Sequence, residues 1–254
     1  FFFRSSVWHG NPWDHPSLLY IPAELNPAYE GTIAVIQQVT LDLNPGQDQD
    51  AQFGLETALQ LGIPVAVLAK VPHPTLLSSV ESESLSTAFP DCFETFLVED
   101  GLAECARKLT WEDGRDSFNW ALETPIMKAY ARAITAVTNV PQTLQSFDPP
   151  LEGVPSFTVK NVIVGGAGKR ARALWMLASV DARIKGIWIA GEDRGNLKEF
   201  YANMAASWDT GYTGVGPNDA LSFLQSEFGT TWEYWQDPYR YMEGLSDVSV
   251  FLSR

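Results

Sequence analysis

The chain has 254 residues, 45% hydrophobic and 12% aromatic, enough apolar material for a large core and incompatible with a disordered chain. Its 31 acidic and 17 basic residues give a formal net charge of -14. That argues against nucleic-acid binding, which needs a basic face to neutralise phosphates. An acidic balance does not fix the compartment, and no run approaches the roughly 18 apolar residues of a transmembrane helix.

Short apolar runs alternate with helical patterns, the mark of βαβ units and a mostly parallel sheet. Strands are expected at 17–22 (SLLYIP) and 32–39 (TIAVIQQV), with Pro27 and Gly31 in the loop between them. Residues 48–62 read as a helix in which Phe53, Ala58 and Leu61 can share a face and Gly62 is a natural stop. A buried strand follows at 63–71 (IPVAVLAKV), as a parallel crossover requires.

Residues 72–92 are a long polar loop, of a kind that either lines a site or is a variable surface excursion. Helices are expected at 96–111 and 124–140. In the second, Ile126, Tyr130, Ile134 and Val137 form an apolar stripe, and Thr124-Pro125 suits a helix start. The strand TVKNVIV (158–164) comes next, then a helix at 169–180, a strand at 184–191, helices near 196–208 and 218–228, and a strand at 248–252. With no break in composition and no internal repeat, residues 1–254 read as a single domain.

The turn Gly165-Gly166-Ala167-Gly168-Lys169-Arg170 carries the most information. A Walker loop needs Ser or Thr after its lysine, and Arg170 stands there. A dinucleotide fingerprint would tolerate Ala171, but its acidic partner could only be Glu192, and the strand comes late in the chain. A nucleophile elbow fits better. It places a strained residue at the apex of a strand-to-helix turn, with small residues before it and an oxyanion-binding N–H after it. Gly166 and Ala167 are those small residues, Gly168 is the apex and Lys169 N–H is the oxyanion candidate. Glycine tolerates the backbone but brings no nucleophile.

The stretch VIVGGAGKRARALWMLASVDARIKGIWIAGED (162–193) resembles the PhoPQ-activated pathogenicity-related proteins, a group that includes autocrine proliferation repressors. Their elbow typically reads Gly-Ala-Ser-Lys-Arg-Gly, followed by a tryptophan-bearing helix and Asp-x-Arg-Ile/Val-Lys. Gly166, Ala167, Lys169, Arg170, Trp175, Asp181, Arg183 and Lys185 are similar to that pattern. LGIPVAVLAKVPHPTL, ETPIMKAYARAITAV and WQDPYRYMEGLSD resemble further family segments, so the likeness covers most of the chain.

The resemblance implies an α/β-hydrolase-like fold, a three-layer sandwich around a mostly parallel sheet, in an exported protein, secreted or periplasmic. It implies no cofactor and leaves the partner open: a small molecule, a peptide or a protein. Three departures stand out. The elbow serine is Gly168, the Gly-Gly turn expected after the third strand is absent from IQQVTLDLNPG, and the acid and histidine would lie beyond Arg254. His9, His15 and His73 fall upstream, in the wrong chain order for this fold's triad. The chain therefore reads as a piece of a longer protein, incomplete at both ends. Its function reads as a catalytically impaired hydrolase relative acting by binding; the alternative is an active esterase- or peptidase-like hydrolase with another nucleophile or one completed downstream.

Other candidates each have a plainer counterpart. Glu192 and Asp193, just after a strand, could bind a cation, serve as acid and base, or simply start a helix. Trp8, His9, Trp13 and His15 could hold a metal or sugar, or pack against the first strands. The aromatic segment 230–244 could stack a ligand or pack. Ser179 is expected to face into packing, and Ser5 and Ser6 to precede the fold. Cys92 and Cys105 lack a CxxC partner or neighbouring histidine, which argues against zinc; a disulfide and two thiols are both open.

Overall fold

The computed structural model describes residues 1–8, 11–37, 49–69, 71, 123–149, 151–167, 169–191 and 238–253. The chain divides into two compact units, one formed by Phe1–His73, Glu123–Asp193 and Glu243–Arg254, the other by Pro74–Leu122 and Arg194–Met242. The described residues fall almost wholly in the first. The helices expected at 96–111, near 196–208 and at 218–228 lie outside them, as do both cysteines.

The first unit is built on strands β1 (Phe2–Trp8), β2 (Asn11–Tyr20), β3 (Thr32–Gln37), β4 (Val65–Leu68), β5 (Asn161–Ala167), β6 (Ile184–Ala190) and β7 (Ser249–Ser253). They form one sheet in the order β1-β2-β4-β3-β5-β6-β7. β2 runs antiparallel to both of its neighbours, and every pair from β4 through β7 is parallel. The fold is therefore mixed α/β with a mostly parallel sheet, as the alternation of apolar and helical segments predicts. Helices are α1 (Gln49–Leu61), α2 (Glu123–Gln145) and α3 (Lys169–Val180), the last with the bounds expected from sequence.

The two faces of the sheet carry different helices. Ala34, Ile36, Val65 and Val67 point to one face, where they pack with Ala58 of α1 and with Ile63. Ala51, Gly54 and Ala58 are the buried positions of α1, one residue per turn along a single stripe. This corrects the sequence reading: Phe53 and Leu61 stay 43% and 40% exposed, while small residues face the sheet. The reason is proximity. A Cβ at Gly54 would lie 2.3 Å from a methyl of Val67, so the helix sits too close for large side chains. Gly62, with φ of +65°, ends the helix in the left-handed conformation, its N–H donating to Ala58 C=O.

Helices α2 and α3 pack against each other; α2 also contacts β1 and β3, and α3 covers β5 and β6. Ile126, Tyr130, Ile134 and Val137 are all fully buried, so the apolar stripe is the core face of α2. Ser179 turns inward, its hydroxyl donating to Met176 C=O and its Cβ and backbone pressed against Gly244.

Ser5 and Ser6, expected to precede the fold, lie within strand β1 of its sheet. Ser5 lies in β1 and is buried, its Oγ 2.8 Å from Nε2 of fully buried His15 on β2. His15 Nδ1 lies 3.2 Å from Ala69 C=O, an acceptor only, so Nδ1 carries the proton and Ser5 O–H donates to Nε2. Phe3 and Trp13 pack around the imidazole, so Trp13 and His15 take the packing role rather than a ligand-binding one.

Candidate functional site at the carboxyl edge of β3 and β5

The chain leaves β3 through α1 towards β4 on one side of the sheet order, and leaves β5 through α3 towards β6 on the other. Neighbouring parallel strands whose connections part in this way open a crevice at their carboxyl ends, the usual place for a ligand in such sheets. The expected strand at 158–164 is found three residues later, as β5, between β3 and β6. Lys169 is the first residue of α3, as expected for the residue after an elbow. Gly168 lies outside the described residues, as do Glu192 and Asp193.

Two glycines of β5 have different jobs. A Cβ at Gly166 would meet Leu174 of α3, the Tyr130 hydroxyl and the backbone of Ala171, each at 3.1 to 3.4 Å. The absent side chain lets α3 fold closely back on the strand, as an elbow needs. The Tyr130 hydroxyl also donates to Gly165 C=O at 2.8 Å, fixing the strand just before the turn.

Gly165 faces the other way. Its strand partner in register is Trp188, and a Cβ would lie 2.8 Å from that indole and 3.1 Å from Ile36. Phe53 of α1 stacks on Trp188, with centroids 5.3 Å apart and planes at 28°. Here opens a cavity of about 450 Å³. Its described lining is Ile36, Gly165, Gly166, Ala167 and Trp188 from the strands, with Gln49, Gln52, Phe53 and Glu56 from one face of α1. Gln52 donates to Glu56 at 2.7 Å. Glu56 is the one charged side chain of the described lining.

A second hollow, about 360 Å³, lies at the amino-terminal edge near Gly31, Thr32 and Pro64. It is remote from the turn and at the wrong end of the strands for an α/β site, so the carboxyl-edge cavity is the better candidate. Among the described residues no group of three or more His, Cys, Asp or Glu could hold a metal ion. None of their helices is long and apolar enough to cross a membrane.

The remaining motif residues are not part of the described lining of the cavity: Arg170 braces the start of α3, whereas Asp181 and Arg183 lie at its other end. Arg170 Nε donates to Val71 C=O, tying the start of α3 to the chain just past β4. Arg183 grips Asp181 through two side-chain hydrogen bonds of 2.8 and 2.6 Å, and reaches Thr135 Oγ1 and Ala131 C=O on α2. These bonds hold the Asp181 carboxyl below its ordinary range, against the opposing effect of burial, and raise Arg183. Trp175 is buried and Lys185 is exposed.

The fold and this crevice define an α/β protein with its candidate site at the carboxyl edge of a mostly parallel sheet. The chain belongs to the PhoPQ-activated pathogenicity-related protein family, whose model matches residues 2–252. No curated protein matches the chain.

Proposed function

We propose that this protein is an exported, α/β-hydrolase-like member of its family that has lost serine catalysis and acts by binding a ligand in the β3/β5 crevice. In α/β-hydrolases the nucleophile stands on the turn after one strand, and the oxyanion donors are the next N–H and one from the loop after the third strand. Several features support the analogy. β5 ends at Ala167 and α3 begins at Lys169, the neighbouring β3 is third in the chain, and Gly166 permits the tight strand-to-helix packing. Unit one needs three separate chain segments to complete its sheet, which favours one domain carrying insertions over two independent domains. Export rests on the family resemblance alone.

The observation that carries the loss of catalysis is the residue at the turn. Gly168 has no hydroxyl, so no acyl-enzyme can form there. A triad stripped of its nucleophile keeps roughly 10³- to 10⁴-fold acceleration over water, from binding and the oxyanion hole. Rapid mixing with p-nitrophenyl acetate tests the reading. The expected trace has no burst of nitrophenolate; a burst stoichiometric with protein overturns it.

A further inference from the structure

We propose that the crevice beside Gly165 takes a neutral polyhydroxylated ring, a sugar residue, with Phe53 and Trp188 as its apolar platform. This deepens the binding role proposed above and rests on it. The argument begins with α1, where Gln49, Gln52, Phe53 and Glu56 are spaced to share one helix face and all four line the cavity. Small residues on the buried stripe of the same helix leave Phe53 free of the core. It instead stacks on Trp188 and stays 43% exposed at the cavity. Gly165, without a side chain, leaves room for the indole to lie against β5.

The polar side chains of the described lining are two carboxamides, Gln49 and Gln52, and one carboxylate, Glu56. Each carboxamide offers both donors and an acceptor, and the carboxylate only accepts. Sugar hydroxyls need both kinds of partner, while the C–H face of the ring needs an apolar surface. An anionic ligand finds no cation among the described lining residues and meets Glu56. An organic cation is a poorer match, because Glu56 is exposed and already accepts from Gln52, which leaves its charge screened by solvent.

Saturation-transfer NMR on the whole chain tests this, using methyl β-glucoside, N-acetylglucosamine and cellobiose at millimolar concentration, with acetate and tetramethylammonium as charged controls. The expected result is transfer to ring C–H protons of at least one sugar and none to either ion. Phe53→Ala should reduce the sugar signal at least fivefold, and Gln52→Glu should weaken it. Arg4→Ala, on β1, should leave it unchanged. Both cavity positions are exposed on α1, and a thermal melt checks that each variant is folded. Equal sugar signals from wild type and folded Phe53→Ala, no transfer to any of the three sugars, or transfer confined to tetramethylammonium would overturn the proposal. The two tests fail separately: a nitrophenolate burst overturns the loss of catalysis without touching the sugar signals, and absent sugar signals leave a burst-free trace standing.

Discussion

The two faces of β5 meet their helices on different terms. Towards α2 and α3, Gly166 is closed over by Leu174 and Tyr130, and that side is continuous core. Towards α1, Gly165 is covered by the edge-exposed pair Trp188 and Phe53, and the space beside them is open. Adjacent glycines on one strand thus serve opposite ends. One permits α3 to pack closely against the strand; the other makes room for a ring at the edge of a cavity. Residues on the packed face should therefore govern stability, and residues on the open face should govern ligand binding.

The largest effect is expected on the packed face. Tyr130→Ala should cost about 3–5 kcal/mol, the range for removing a buried aromatic side chain, read from denaturant unfolding. Tyr130→Phe removes only the hydroxyl that serves Gly165 C=O and should cost about 1 kcal/mol. If the two variants lose the same amount, the hydrogen bond rather than packing holds that face.

On the other side, Gly54→Ala should cost about 1–3 kcal/mol through overpacking against Val67, despite alanine's better helix propensity. A stabilised variant would mean that α1 can lift from the sheet and that the cavity wall is soft.

Arg183→Ala should cost about 1–2 kcal/mol at neutral pH, because it removes charge-assisted bonds that are partly solvent-screened. The pH dependence has a definite sign. The folded Asp181 has a depressed pKa, so the ion pair's contribution is complete above the unfolded carboxylate value of about 3.9 and fades as pH falls through the folded value. The stability gap between wild type and Arg183→Ala should therefore narrow below about pH 4. A gap that widens in acid would contradict the assignment. The smallest change in stability should come from Phe53→Ala, about 1 kcal/mol for a half-exposed stacked ring, although it removes the ligand platform.

Much of the frame was legible where side-chain size and burial agree. The stripe on α2 consists of large apolar residues at helical spacing, and the step from β5 to α3 is marked by the run of small residues before Lys169. Sequence reasoning failed where small or polar residues do the packing. The core stripe of α1 is Ala51, Gly54 and Ala58, invisible to a search for large side chains and explained only by the close approach to Val67. β1 was missed because Ser5, an inward residue, is polar and satisfied by His15 across the strand pair. Trp188 read as one more apolar strand residue. Its place at the site depends on pairing opposite Gly165, a register between segments that no single stretch reveals.

The central claim, that the turn after β5 no longer does serine chemistry, is tested most directly by intact-mass spectrometry after incubation with a fluorophosphonate. The account predicts an unchanged mass with no phosphonyl adduct. A stoichiometric adduct, mapped by peptide sequencing to any residue at the crevice, would contradict it and show an activated nucleophile there.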